Sequence, residues 1–214
     1  MFLDRKDGAI QLANLLTSFR KMDGIVVGVP KGGVITGCQI AKILDWPFSY
    51  IFSKKIKHPT EPYQTIGSVG LHKTFLRPVR EIPYDEIDRK TNRINRSLQK
   101  SALLYSKSLK QKALKDKTVI ITDDGMATGC SMEVTIKEVR REQPAHIIVA
   151  IPVASSASIS EIQSLTDEVF VVHKPSHFVT VKHFYAHFPA LSDSDVVAEL
   201  ERQRAVEQNT IDPI

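Results

Sequence analysis

Short apolar runs typical of strands alternate along the chain with segments whose apolar residues have helical spacing. Short apolar runs predict strands at 25–29, 48–52, 119–121, 146–151 and 168–172. The third of these runs consists of β-branched residues, and it is typical of a strand that is buried on both faces of a parallel sheet. Because such a strand needs helices above and below it, the pattern predicts an α/β fold.

Segments with helical spacing of apolar residues separate these strands. They predict helices over 4–21, 34–44 and 131–141, another helix that begins near Ser156, and a final helix over 193–208. Ser192 and Asp195 have the spacing of a capping box at the start of the last helix. The β-α-β-α order therefore predicts an open, mainly parallel sheet that is flanked by helices.

The segment 83–117 departs from this alternation. It carries a stripe of apolar residues at spacings of seven and four, which predicts a long amphipathic helix and consists of Ile87, Ile94, Leu98, Tyr105 and Leu109. The rest of the segment is basic, since residues 86–117 have a net charge of +7. We interpret 83–117 as a basic helical insertion. Its charged face is either a solvated surface or a contact for RNA or another polyanion, although no RNA-binding motif accompanies it.

Two adjacent carboxylates, Asp123 and Asp124, follow the strand at 119–121. The next loop consists of Gly125, Met126, Ala127, Thr128, Gly129, Cys130 and Ser131. Its glycines allow close backbone approach, and the start of the following helix directs free N–H groups at an anion. We therefore predict a phosphate site over 125–131. Carboxylates repel a phosphate dianion, so the acids are expected to serve ribose hydroxyls or a hydrated divalent cation instead.

A second strand–loop–helix unit has a similar design. The strand at 25–29 enters the helix at 34–44 through a loop that contains Lys31, Gly32 and Gly33. This loop can present N–H groups and an ammonium group to an anion, so we predict a second phosphate site. Lys54 and Lys55 follow the strand at 48–52, where a lysine pair is either a solvated strand end or a further anion contact.

The strand, the acid pair and the Thr128-Gly129 pair before a helix resemble the 5-phosphoribosyl-1-pyrophosphate (PRPP) signature of the type I phosphoribosyltransferases. The segment from Val119 to Met132 fits this signature without a gap. The Pro30-Lys31-Gly32-Gly33 stretch is similar to the pyrophosphate loop of that family, in which the peptide before the basic residue is often cis. The whole pattern resembles the subfamily known as predicted phosphoribosyltransferases, for which the resemblance supplies no acceptor.

The resemblance implies an enzyme that displaces pyrophosphate from PRPP with a nucleobase or amine acceptor. It assigns the 5-phosphate to the loop 125–131, and the ribose hydroxyls, directly or through Mg²⁺, to Asp123 and Asp124. It assigns the leaving pyrophosphate to Lys31, Lys54 and Lys55 and to the backbone of Gly32 and Gly33. Asp123, Asp124 and Lys55 are thereby the catalytic candidates. The alternative is a PRPP- or nucleotide-binding regulator with little or no catalysis, which contacts RNA through the basic segment 86–117.

Three further expectations concern the acceptor and the cover of the site. Residues 57–65 correspond to the flap that closes over the substrate in the family. Phe178 corresponds to an aromatic residue that stacks on the nucleobase, and a core phenylalanine is the alternative. In relatives that salvage 6-oxopurines an aspartate occupies the position of Ala127, so hypoxanthine and guanine are disfavoured as acceptors. Relatives are commonly dimers, so the resemblance allows a homodimer, although the residues themselves do not indicate the oligomeric state.

Composition limits the classes of protein that fit. The 214 residues suffice for one α/β domain, so we predict a single domain over 1–214, with 173–214 as a C-terminal segment and helix. No apolar run approaches the roughly 20 residues that a bilayer requires, and charges occupy the region where a signal peptide has its apolar core. We therefore expect no membrane segment and a cytoplasmic location.

Charge and cysteine usage add two points. The formal net charge of +5 suits a polyanionic partner, which is either PRPP or a nucleic acid. Cys38 and Cys130 are too few for a disulfide framework, and we expect free thiols. Four histidines lie between 173 and 187 with no cysteine or carboxylate among them, so we do not predict a metal site there.

Overall fold

The structure is a computed structural model that describes residues 1–61, 64–71, 74–77 and 82–211, the side chains of 209–211 excepted. Within these ranges the strands are β1 Gly24–Gly28, β2 Phe48–Tyr50, β3 Ser53–Lys57, β4 Thr65–Gly70, β5 Thr74–Leu76, β6 Thr118–Thr122, β7 His146–Val153 and β8 Glu168–His173. The helices are α1 Arg5–Leu15, α2 Gly32–Leu44, α3 Tyr84–Ser108, α4 Cys130–Arg141, α5 Ser156–Gln163 and α6 Asp193–Ile211.

Five of the strands form a parallel sheet in the order β2-β1-β6-β7-β8. Successive residues of a strand point to opposite faces, and the core divides accordingly. Val26 and Ile120 pack with residues of α1, α2 and α6, whereas Ile25 and Val119 pack with residues of α4 and α5. The prediction of an open, mainly parallel sheet flanked by helices is therefore confirmed.

A second, antiparallel sheet with the order β3-β4-β5 was not predicted. We expected a strand over 48–52 with the lysine pair at its end, but β2 ends at Tyr50 and both lysines lie within β3. Ile56 is the one fully buried side chain of β3. A strand held by one buried side chain gives almost no hydrophobic signal, which explains why the sequence pattern missed it.

The long helix α3 is present, but it ends at Ser108 rather than continuing to 117. Beyond it the chain bonds to β2: the Tyr50 hydroxyl donates to the carbonyl of Leu109 over 2.9 Å, and the Gln111 amide donates to the carbonyl of Tyr50 over 2.8 Å. These tertiary hydrogen bonds replace the helical ones. Four lysines of the basic segment consequently lie outside the helix, namely Lys110, Lys112, Lys115 and Lys117.

The remaining boundaries agree with the sequence pattern to within a few residues. The first helix is shorter than its predicted range 4–21, because a short 3₁₀ turn at Thr17–Phe19 follows α1. Residues 57–65 include β3's last residue and β4's first, while positions 62 and 63 of the expected flap lie outside the described residues. Within the part of the chain that the structure describes, no helix is both long and apolar enough to cross a membrane.

Candidate active site

The two predicted phosphate loops meet because β1 and β6 are neighbours. Their register pairs Gly28 with Thr122, so both strands end at the same level of the sheet. The N–H of Val29 also donates to the carbonyl of Thr122 over 2.9 Å. Parallel strands present their carboxyl ends at one edge, where ligands of open α/β sheets bind.

Gly32 and Gly33, in the loop 31–33, permit this close approach of β1 and β6. A Cβ atom on Gly33 would lie 2.5 Å from the carbonyl oxygen of Thr122, and a Cβ atom on Gly32 would lie 2.0 Å from Oδ2 of Asp124. Neither position has room for a side chain. The preceding Pro30–Lys31 peptide is cis, the configuration that the resemblance implied.

The acid pair occupies the space between the loops. The backbone N–H of Asp124 donates to Oδ1 of Asp123 over 2.8 Å. Burial raises the pKa of Asp123, and repulsion from Asp124 raises it further, while the Lys55 ammonium acts in the opposite direction. Burial also raises the pKa of Asp124, against an opposing effect of Arg5. Two carboxyls this close resist simultaneous ionisation unless cations are near.

The loop 125–131 presents backbone rather than side chains. Met126 and Cys130 are buried, with 4% and 3% of their surface exposed, whereas Thr128 is exposed. Gly129 adopts a left-handed conformation, with φ of +68°, at the N-cap of α4, and no side chain of the described residues caps this helix. Its first N–H groups are thus left for an anion.

Two serines that the sequence reasoning did not assign hold this loop in place. The Ser155 hydroxyl donates to the carbonyl of Ala127 over 2.8 Å, and the Ser158 hydroxyl donates to the carbonyl of Met126 over 3.0 Å. Both serines lie at the start of α5, where Ser155 is the N-cap. A serine-rich helix start was visible in the sequence, but nothing local indicated that its hydroxyls serve a loop nearly 30 positions away.

The three predicted lysines differ in their contacts. The ammonium of Lys55 lies 3.1 Å from the hydroxyl of Thr128, so β3 brings it to the loop 125–131. Lys54 is the next residue along the strand and therefore points the other way; its ammonium lies 3.5 Å from the hydroxyl of Ser97 in α3. Lys31 lies in the loop 31–33, where its ammonium is 3.2 Å from Oδ1 of Asp193 and 3.0 Å from the carbonyl of Leu191.

The predicted stacking residue, Phe178, lies in an aromatic cluster instead of standing alone. Its ring centroid is 5.3 Å from that of Phe184, and both rings pack against a core that contains Phe2 and Tyr185. A different residue of the C-terminal segment, Val181, covers the loop 125–131. Val181 packs so closely on Gly125 that a Cβ atom at that glycine would lie 2.5 Å from its Cγ1.

The site also contains a cation that the sequence reasoning missed. Nε of Arg5, in the first turn of α1, donates to Oδ2 of Asp124 over 2.7 Å, and the two side chains are 9% and 15% exposed. The first turn of a helix favours acids because of the helix dipole. An arginine at that position was therefore the available signal, although it named no partner.

The acid pair fits Mg²⁺ only with help from other ligands. The described residues contain no group of three or more His, Cys, Asp or Glu that could hold a metal ion. Mg²⁺ commonly binds through one or two carboxylates and completes its octahedron with waters and substrate phosphates. Asp123 and Asp124 can supply those carboxylates, so the donor set fits a magnesium ion that arrives with a phosphorylated ligand.

The chain is similar to known proteins in both sequence and fold. Residues 9–188 match the model of the phosphoribosyl transferase domain. Two Mycobacterium tuberculosis proteins, named "Putative phosphoribosyl transferase" Rv0571c and MT0597, are each 27% identical over 210 residues, which is 94% of this chain and 47% of theirs. The chain thus spans about half the length of these relatives.

A solved structure with high similarity comes from Thermus thermophilus. The crystal structure of TT1426 superposes with a TM-score of 0.80 at 30% sequence identity, covering 94% of this chain and 98% of that one. The likeness therefore extends over nearly the whole fold.

Proposed function

Because the chain belongs to the phosphoribosyl transferase domain family, we propose that it transfers the phosphoribosyl group of PRPP to a nucleobase or amine and releases pyrophosphate. One observation carries this proposal: the loops 31–33 and 125–131 meet at one sheet edge, with the acid pair between them and lysines on both sides. The distance of 3.1 Å between Lys55 and Thr128 connects the second sheet to this edge. A site for one phosphate alone would need only one of the loops.

The reaction breaks the bond between the anomeric carbon and the pyrophosphate oxygen, so positive charge develops on the ribose while negative charge develops on the leaving group. In our proposal the loop 125–131 holds the 5-phosphate through N–H groups at the start of α4. Asp123 and Asp124 hold the ribose hydroxyls and face the developing positive charge. Lys31 and Lys55 stabilise the departing pyrophosphate, and they act chiefly by position and charge.

Two of the expected contacts are proposed with modified roles. Lys54 points toward α3 rather than toward Thr128, so we assign it to the outer end of the pyrophosphate site and expect a smaller effect. Met126 and Cys130 contribute backbone groups only, because their side chains are buried. Bound Mg²⁺ would neutralise part of the pyrophosphate charge, and Asp123 and Asp124 would hold it directly or through water.

The acceptor is proposed to be other than a 6-oxopurine. Ala127 stands where 6-oxopurine-salvage relatives carry an aspartate, and its carbonyl is occupied by the hydroxyl of Ser155. An alanine side chain cannot hydrogen-bond the purine imidazole nitrogen. Pyrimidines, adenine and amines are therefore the acceptors to test first.

The test is calorimetric titration of PRPP with and without Mg²⁺, followed by assays of pyrophosphate release across bases and amines. We expect magnesium-dependent binding and release with one acceptor class. Binding with no release for any acceptor would favour the regulatory alternative, and an absence of PRPP binding would overturn the proposal.

One observation favours the regulatory alternative. A surface groove of about 510 Å³ on α3 is lined by Arg89, Asn92, Arg93, Arg96, Ser97 and Lys100. Of these, Arg93, Arg96 and Lys100 form no ion pair or hydrogen bond with any residue that the structure describes. Arg89 is paired with Asp85, and the amide of Asn92 donates to Asp88. The other three cations have no carboxylate partner among the described residues, which suits the phosphates of a polyanion. The hydrogen bond between Ser97 and Lys54 connects this groove to the proposed pyrophosphate site.

This second function has its own experiment, which uses a fluorescently labelled single-stranded RNA of 12 nucleotides. Anisotropy should report binding that weakens with salt and is lost in the triple variant R93Q/R96Q/K100Q. A matched triple variant, K6Q/K21Q/K115Q, removes the same charge from exposed positions outside α3. If both triple variants weaken binding equally, the groove is not the site and only net charge is responsible.

A further inference from the structure

The carboxylate of Asp124 is held by a residue of α1. Its partner, Arg5, is only 8% exposed, and three contacts fix the guanidinium: Nε donates to Oδ2 of Asp124 over 2.7 Å, a second nitrogen donates to the carbonyl of Pro189 over 2.9 Å, and the group lies 3.7 Å from the ring centroid of Phe188. A guanidinium held on three sides has little freedom to rotate. The carboxylate that it bonds is therefore fixed as well.

The position of Arg5 is costly unless Asp124 compensates for it. Burial of a guanidinium is unfavourable when its charge lacks a partner, and the positive end of the α1 dipole adds to the cost. Asp124 is the one anion that forms an ion pair with Arg5 among the described residues, and it lies 119 positions away in the sequence. The carbonyl of Pro189 and the Phe188 ring are neutral. The acid of the site thus accounts for the presence of this arginine.

Asp124 is also confined from its other sides. Its Oδ2 would lie 2.0 Å from a Cβ atom at Gly32, so the carboxylate packs directly on the loop 31–33. The hydroxyl of Tyr185 donates to the backbone carbonyl of Asp124 over 2.5 Å. Asp123, by contrast, forms no ion pair with any residue that the structure describes. The two neighbouring acids consequently have different freedom to engage a ligand.

Building on the proposed function, we propose that Arg5 is a positioning residue for phosphoribosyl transfer. Arg5 fixes the Asp124 carboxylate against the 31–33 loop, and Asp123 is the acid that adjusts to the ribose hydroxyls and the metal. The loop and the acid then keep one relative position when PRPP arrives. Without Arg5, the Asp124 carboxylate would lie beside the like charge of Asp123 with no paired cation among the described residues to compensate it. Its contact with the loop 31–33 would then no longer be fixed.

The test is a pair of double-mutant cycles on PRPP affinity, measured by calorimetry in the presence of Mg²⁺. R5Q should weaken binding at least tenfold. R5Q/D124N should be no weaker than D124N alone, because both substitutions remove the same contact. R5Q/D123N should still be clearly weaker than D123N, because Arg5 fixes Asp124 in that background too, although the loss is smaller than in the wild type since D123N also removes the neighbouring like charge. K6Q, at the exposed neighbour of Arg5, should bind like the wild type.

These couplings separate positioning from general destabilisation. A purely structural role would lower the free energy of unfolding and would affect affinity equally in the D123N and D124N backgrounds. R5K retains the charge but loses the planar guanidinium that bonds Asp124 and Pro189 through two different nitrogens and stacks on Phe188, so it should restore part of the affinity and remains informative if R5Q fails to fold.

Two results would overturn the inference and can be told apart. If the wild type binds PRPP and R5Q binds as tightly, Arg5 has no positioning role although the proposed function stands. If the wild type itself does not bind PRPP, the proposed function fails and this inference fails with it.

Discussion

The site is assembled from two regions whose stability comes from different sources. The parallel sheet supplies the two loops and the acids from β1 and β6, which are buried along their whole length. The antiparallel sheet supplies Lys55 from β3, in which Ile56 alone is fully buried. The first region is therefore held by two hydrophobic layers, and the second by a small core under one face. We infer that the loops 31–33 and 125–131 are rigid and that Lys54 and Lys55 of β3 can adjust to a ligand.

The largest expected effect tests the rigid region. D123N/D124N should weaken PRPP binding by about 100-fold or more, since two charge-assisted hydrogen bonds are lost and each typically contributes about 1.5–3 kcal/mol. Calorimetric titration measures this. Charge alone predicts the opposite sign, because fewer carboxylates repel the anionic PRPP less. E86Q/E201Q removes the same charge elsewhere and should leave affinity unchanged, whereas tighter binding by D123N/D124N would contradict the site assignment.

The second prediction compares the two cores directly. I56A should lower the free energy of unfolding by about 2–4 kcal/mol, the usual cost of a fully buried isoleucine, and it should also weaken PRPP binding because Lys55 is the adjacent residue. I120A, in β6, should cost a similar or larger amount, since Ile120 is also fully buried. Urea unfolding measures both variants. The comparison fails if I56A leaves the stability unchanged, because β3 would then have support beyond its one buried side chain.

The third prediction concerns the contact between the loops. G33A should destabilise the fold by about 1–3 kcal/mol, as overpacking usually does, because its Cβ would lie 2.5 Å from a backbone oxygen that cannot rotate away. PRPP affinity should fall as the loops separate. G24A is the matched variant: its Cβ would also overpack the core, 2.1 Å from the Trp46 ring, but at the opposite end of β1 from the loops. Equal affinity losses would indicate that overpacking in general, rather than the spacing of the loops, weakens binding.

The parallel sheet was predictable from sequence because its signals are local and strong. Each of its strands is a short apolar run, and the acid pair and the glycine loop adjoin one of them in the chain. The pairing of β1 with β6 was not itself predicted from the sequence; it is this pairing that brings Asp123, Asp124 and the loop 31–33 together.

The rest depended on contacts between distant segments. Arg5 bonds Asp124 across 119 positions, and Ser155 bonds Ala127 across 28; neither pairing has a periodic or motif-like signal. The β3 strand was missed because three of its five residues are lysines, which resemble a solvated loop. The packing of Phe178 with Phe184 is likewise a tertiary feature that no local pattern records, and the stacking role of Phe178 stays a prediction.

The smallest expected effect divides the lysine pair. K55Q should weaken PRPP binding about tenfold, the effect of one charge-assisted contact at a partly solvated site, because its ammonium lies 3.1 Å from Thr128. K54Q should weaken binding less than about threefold, because alternate strand residues point to opposite faces and Lys54 contacts Ser97. Both variants remove one lysine charge from β3. Titration of PRPP under identical conditions therefore isolates the effect of the face of the strand to which each side chain points. Equal losses would mean that β3 rotates or shifts when the ligand binds, and that its single buried side chain permits more movement than the two-layered core permits in the loops.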